Sequence, residues 1–118
     1  MKTAELLSPD AVIQFAREPN GNRLAVMHCP GCGERHFVRV DGPHKWGFNE
    51  DVARPTFSPS VLVRARASDP TDPDAVALES VCHFHVREGN IDYLGDCTHK
   101  LAGTSQRMVP VVAWPSLG

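Results

Sequence analysis

Four cysteines in two pairs do most to narrow the folds open to this chain. Cys29 and Cys32 bracket a Pro-Gly turn in CPGC, and Cys82 and Cys97 bracket CHFHVREGNIDYLGDC. A CxxC turn gives two thiolates the bite that tetrahedral zinc requires, and small residues between them let the backbone turn around the ion. The second stretch reads as a hairpin. With Gly89 and Asn90 as the central residues of a type II′ turn, Cys82 falls opposite Cys97, and Phe84 and Val86 share a face with Ile91 and Tyr93. The two pairs together predict a zinc site of Cys29, Cys32, Cys82 and Cys97. His99, two residues beyond Cys97, is the best substitute ligand, and His83, His85 and His28 are further alternatives. The competing reading is four reduced thiols, buried separately in a metal-free module.

Hairpins recur along the chain. AVIQFAR and LAVMH flank the turn signal Pro19-Asn20-Gly21, and HFVRV after the knuckle is a further strand, its alternation marked by Phe37 and Val40. A long irregular stretch, DGPHKWGFNEDVARPTFSPS, precedes the strand SVLVRA. ASDPTDPDAVA is expected to be a surface loop, and MVPVVAW a last strand with Pro110 at an edge or bulge. The whole is predicted to be one domain, residues 1–118, mostly β: a small antiparallel zinc-ribbon-like fold with long irregular loops and a metal-linked unit over 24–101. Ten prolines and nine glycines in 118 residues argue against a helical fold.

A formal net charge of −2 gives no reason to expect general attraction to nucleic acid, so such a partner is possible but unsupported. No apolar run approaches the roughly 18 residues of a membrane span. A soluble, cytoplasmic protein without a membrane partner is the expectation.

Four protein ligands leave no coordination position for water, so a closed site predicts a structural ion and a binding module rather than an enzyme. The alternative is a small metal-dependent hydrolase with an open coordination position near the Cys/His cluster. His83 and His85 fall near Asp96 and Asp92 in the hairpin, which supplies hydrogen bonds without requiring catalysis. No catalytic residue is assigned. Nucleotide-binding, HExxH and GxSxG motifs are absent from the sequence. Asp96, Thr98 and Lys100 are candidates to orient a ligand or touch a partner. In the aromatic stretch Trp46 either packs against the sheet or forms a contact surface, and Asn49 either caps a turn or touches a partner.

The combination WGFN, PTFSPS, CHFHVREG and GDCTHKLAG resembles a family of small uncharacterised phage and prophage proteins, over His28 to about Pro110. Relatives carry names such as ammonia monooxygenase or anaerobic dehydrogenase, chemistries these residues do not support. The matching positions are Cys29, Cys32, Trp46, Asn49, Pro55 to Ser60, Cys82, His83 and Asp96 to His99. The resemblance implies a phage-associated accessory protein in the host cytoplasm that binds a host or phage protein.

Overall fold

A computed structural model describes residues 9–67, 71 and 78–115. Eight strands are present among them: β1 (Gln14–Arg17), β2 (Arg23–Cys29), β3 (Glu34–Arg39), β4 (Gly47–Phe48), β5 (Phe57–Ala67), β6 (Leu78–Arg87), β7 (Asn90–Tyr93) and β8 (Ser105–Arg107). They form two antiparallel sheets, β1-β2-β3 and β4-β5-β6-β7-β8. The mostly β, antiparallel architecture expected from the turn signals is the one observed.

The first hairpin follows from Pro19-Asn20-Gly21. Gly21 takes φ 91°, and its amide and that of Asn22 are held by the Glu18 carbonyl and the Asn20 side chain. β2 then turns through the knuckle into β3, where Cys29 pairs with Glu34. In β3 the inward residues are His36 and Val38, continued by Val40, whereas Phe37 is 58% exposed. The alternation therefore runs on the even positions, opposite to the face that Phe37 suggested.

One core draws on both sheets. Met27, Cys29, Val38 and Val40 meet Phe57, Val61, Cys82, Phe84, Val86, Ile91 and Tyr93 in a single buried cluster. A fully buried phenylalanine such as Phe84 contributes about 2–3 kcal/mol by its burial. Trp46 packs against this cluster half-buried and donates its indole N–H to the Ser60 carbonyl at 3.2 Å. Packing is thus the observed role of the indole.

Two expectations are corrected. The β6–β7 hairpin pairs Arg87 with Asn90 and Phe84 with Tyr93, so Glu88 and Gly89 are its turn residues. Both have positive φ, 49° and 80°, as a type I′ turn requires, and the Glu88 amide is held by the Thr56 hydroxyl at 2.9 Å. The pairing ends two residues before Cys82, which removes the geometry that set Cys82 opposite Cys97. The apolar face is unchanged, because the register moves by an even number of residues. The terminal MVPVVAW is not a strand: β8 ends at Arg107, Met108 is buried, and Val111–Ala113 is a 3₁₀ turn after Pro110. Proline has no amide for a ladder, and its fixed φ starts the turn. The loop expected over ASDPTDPDAVA lies largely outside the described residues.

Candidate functional site

Two side-chain clusters sit on opposite faces of β6, because consecutive strand residues point to opposite sides. Cys82 points inward and His83 outward.

On the outer face, β5 and β6 bring Ser60 beside His83. The register jumps from Phe57 opposite Val86 to Val61 opposite Phe84, so three residues of β5 face one of β6. Such a bulge re-aims side chains, and here it presents Ser60 toward the imidazole. Ser60 Oγ lies 3.1 Å from His83 Nε2, and His83 Nδ1 lies 3.0 Å from Asp96 Oδ2. The chain entering the bulge is braced by Asn49, whose side chain donates to the Arg54 carbonyl and accepts from the Asp51 and Thr56 amides. A hydroxyl, an imidazole and a carboxylate in line are the constellation in which the imidazole withdraws a proton and the carboxylate holds its tautomer.

Asp96 reaches His83 because the segment after β7 continues along the β6 edge that β7 leaves uncovered. Leu94 N–H donates to the His83 carbonyl at 2.9 Å, and Thr98 N–H to the Val81 carbonyl at 2.9 Å. The Thr98 hydroxyl accepts from the Val81 amide at 3.0 Å. Between them the Cys97 sulfur accepts from the His83 amide and donates to the His83 carbonyl, both at 3.2 Å. Cys97 therefore grips the backbone of the histidine at both its amide and its carbonyl.

On the inner face, the donor atoms of Cys29, Cys32, His36 and Cys82 all lie within 4.8 Å of one another, a set that can hold a metal ion. Cys29 Sγ and Cys82 Sγ are 3.8 Å apart. Zinc–sulfur bonds of about 2.3 Å put tetrahedral thiolates about 3.8 Å apart, so the pair already has that spacing. A second group, Cys82, Cys97 and His99, also satisfies the distance condition. The sulfur of Cys29 accepts from the Cys32 amide at 3.4 Å and shares a hydrogen bond with the Tyr93 hydroxyl at 3.0 Å, while Tyr93 in turn accepts from Gly31 N–H. The Cys29 thiol is held well below its ordinary value, first by its hydrogen bond with Cys82 and further by His36, Tyr93 and the Cys32 amide, with burial opposing. Cys82 is pushed up, first by Cys29 and then by burial, and burial raises Cys32 to about 11. The Cys29–Cys82 pair thus favours carrying one negative charge, a cation-attracting arrangement. A cleft of about 330 Å³, lined in part by Gly31, Cys32, Cys82 and His99, leads from solvent to these groups.

The sequence-predicted ligands are accordingly divided. Cys29, Cys32 and Cys82 converge, and Cys97 joins Cys82 and His99. His83 belongs to the outer cluster with Asp96. His85 is opposite Asp92 on β6, and His28 opposite Arg35 on β2; neither enters a metal-capable group among the described residues. Thr98 stitches the loop to Val81, and Lys100 is exposed. Sequence reasoning placed Asp96 near His83 but missed Ser60 as its third member, and missed His36 altogether. A CxxCxxxH pattern on the strand leaving the knuckle was the available signal for His36.

The model of a family described as a bacterial ubiquitination-like system serine protease (BubE) matches residues 2–94. This chain belongs to the BubE family. The match contains Ser60 and His83 and stops two residues short of Asp96. The BubE description names a bacterial system rather than a phage one. No curated protein and no solved structure matches the chain.

Proposed function

We propose that this BubE-family chain is a serine peptidase of a bacterial ubiquitination-like system, with Ser60 as nucleophile, His83 as general base and acid, and Asp96 as the orienting carboxylate. The observation that carries the reading is the relay Ser60 Oγ–His83 Nε2–His83 Nδ1–Asp96, at 3.1 and 3.0 Å. Ser60 Oγ attacks the substrate carbonyl while His83 Nε2 takes its proton. The tetrahedral intermediate then collapses: the bond from the carbonyl carbon to its amine or alcohol breaks, His83 gives that proton to the departing group, and the acyl group stays on Ser60 Oγ. Water, deprotonated by His83, hydrolyses the acyl-enzyme and restores the hydroxyl. Asp96 accepts from His83 Nδ1–H and so keeps Nε2 free to accept.

The sheet supports an extended polypeptide as substrate. β4 covers β5 only at Phe57 and Ser58, and no other described strand lies on that side of Val61–Ala67. An edge with no further described strand on it, beside the nucleophile, suits an added strand such as the tail of a ubiquitin-like modifier. The protein partner is then the modifier or its conjugate.

The inner-face ion is best read as zinc, since three thiolates and one imidazole suit its softness and tetrahedral preference. His83 and His85 lie on the opposite face of β6, which disfavours an ion-bound water as the nucleophile. An active-site-directed fluorophosphonate tests the reading. A single adduct is expected on Ser60, absent from Ser60→Ala and His83→Ala; a folded wild-type chain that takes no adduct contradicts it.

A further inference from the structure

His36 and His99 both approach the inner-face sulfurs, and their hydrogen bonds separate their roles. His36 is 4% exposed and lies with its ring stacked on Phe84 at 5.7 Å. One ring nitrogen lies within 4.8 Å of the three converging sulfurs, and Nε2, sealed from solvent, has no hydrogen-bond partner among the described residues. A buried imidazole nitrogen without a partner is destabilising, and the ring of His36 stands within ligating reach of the sulfurs rather than being held by other polar groups. His99 is already committed. Its Nδ1 accepts the Leu101 amide at 3.3 Å, so the proton of the neutral ring resides on Nε2, which sits 3.4 Å from Cys82 Sγ. In that tautomer Nε2 donates to sulfur and has no lone pair to give an ion. The ring is wedged between the edge of Tyr93, at 4.6 Å between centroids, and Gly31, where an added Cβ would overlap it.

His99 is also the inner end of the loop whose outer end is Asp96. Residues 96 to 99 hold β6 from both sides: Asp96 on the His83 ring, Cys97 and Thr98 on the backbone, His99 on the Cys82 sulfur.

We infer that Cys29, Cys32, His36 and Cys82 form a closed metal site, and that His99, donating to the Cys82 thiolate, tethers the Asp96 loop to it and thereby positions the proposed triad. The ion does no chemistry on the substrate. Outer partners of a metal ligand fix its orientation; here the same bond also fixes the partner's loop. The positioning part rests on the peptidase reading, whereas the ligand assignment does not.

The test uses the full chain purified without a metal-binding tag from zinc-supplemented medium, with three readouts: zinc content, exchange of the Thr98 amide, and the rate of fluorophosphonate addition. Wild type is expected to hold about one zinc per chain, and His36→Ala to lose it while His36→Cys, which restores a fourth soft ligand, retains it. His99→Ala is expected to keep its zinc, yet exchange Thr98 about tenfold faster and acylate about tenfold more slowly, the effect of losing one charge-assisted tether. Gly31→Ala, which displaces the ring without touching a ligand, is expected to behave alike. Zinc lost from His99→Ala but kept by His36→Ala reverses the ligand assignment and overturns the inference. Unchanged Thr98 exchange in zinc-loaded His99→Ala overturns the tether, as does a zinc-free wild type for the site. Absence of labelling in wild type counts against the peptidase reading alone, because zinc content and exchange still decide the rest.

Discussion

Replacing Asp96 by Asn isolates the tautomer argument from the fold, since the side chains have nearly the same shape. In the native site the carboxylate accepts from Nδ1–H, which leaves Nε2 to accept the Ser60 proton. An amide can turn its N–H₂ toward Nδ1, stabilising the tautomer that carries its proton on Nε2 and so cannot act as the base. In a fully buried triad this substitution costs about 10⁴ in rate. The Asp96 side chain is 54% exposed and that of His83 25%, so water competes for Nδ1 and the loss should be smaller. We expect about a 10³-fold fall in the rate of fluorophosphonate addition for Asp96→Asn, equivalent to about 4 kcal/mol of barrier. Asp96→Ala, which admits water as a neutral acceptor, should lose only about 10²-fold. Pseudo-first-order labelling followed by intact mass gives both rates, with thermal melting as the control for folding. Asp96→Asn within about threefold of wild type, or an alanine variant slower than the asparagine one, would refute the relay.

Three further outcomes are expected. Asn49→Ala removes three hydrogen bonds that brace the approach to Ser60 and should lower stability by about 1–3 kcal/mol in denaturant melts. Cys97→Ser keeps a group that can both donate and accept at the His83 backbone, whereas Cys97→Val keeps neither and should cost about 1–3 kcal/mol more; equal melts for the two would remove the gripping role of the thiol. The hydrogen bonds from Arg23 hold Asp41 down at about 2 in the fold. Because the folded value is depressed, this stabilisation is present above the ordinary value of 3.8 and is lost as pH falls through about 2. Asp41→Asn should therefore flatten acid-melting curves in that window and leave their neutral-pH slope unchanged.

Much of the sheet structure was legible because it is written in local chemistry. Pro19-Asn20-Gly21 and the paired apolar residues of β1 and β2 announce a hairpin, and CPGC announces a turn carrying thiols. The β6–β7 turn was misplaced by one residue because Glu88 carries no signal for positive φ; its conformation is held by Thr56, thirty-two positions away. His36 was hidden by its neighbour, since a bulky Phe37 marks the wrong face of β3 as the interior. Ser60 closes the PTFSPS motif, but nothing in that motif marks its hydroxyl as reactive. It becomes a neighbour of His83 only through β5–β6 pairing and a bulge that no short stretch of residues specifies. Asp96 was placed beside His83 by hairpin arithmetic, yet two members of a relay do not reveal the third.

The adjacency of Cys82 and His83 has a consequence for how this chain can tolerate change in length. A strand reads its two faces with a period of two, so inserting or deleting a single residue between this pair and the β5–β6 pairing would exchange the thiol and the imidazole. Metal retention and serine reactivity would then vanish in one step. Changes of two residues would keep both faces while sliding them along β5, away from Ser60. Length variation should therefore collect in the β5–β6 connection rather than in the β7–β8 one, whose residues 96 to 99 are fixed on β6, and the dipeptide itself behaves as a single inheritable unit with two incompatible surroundings.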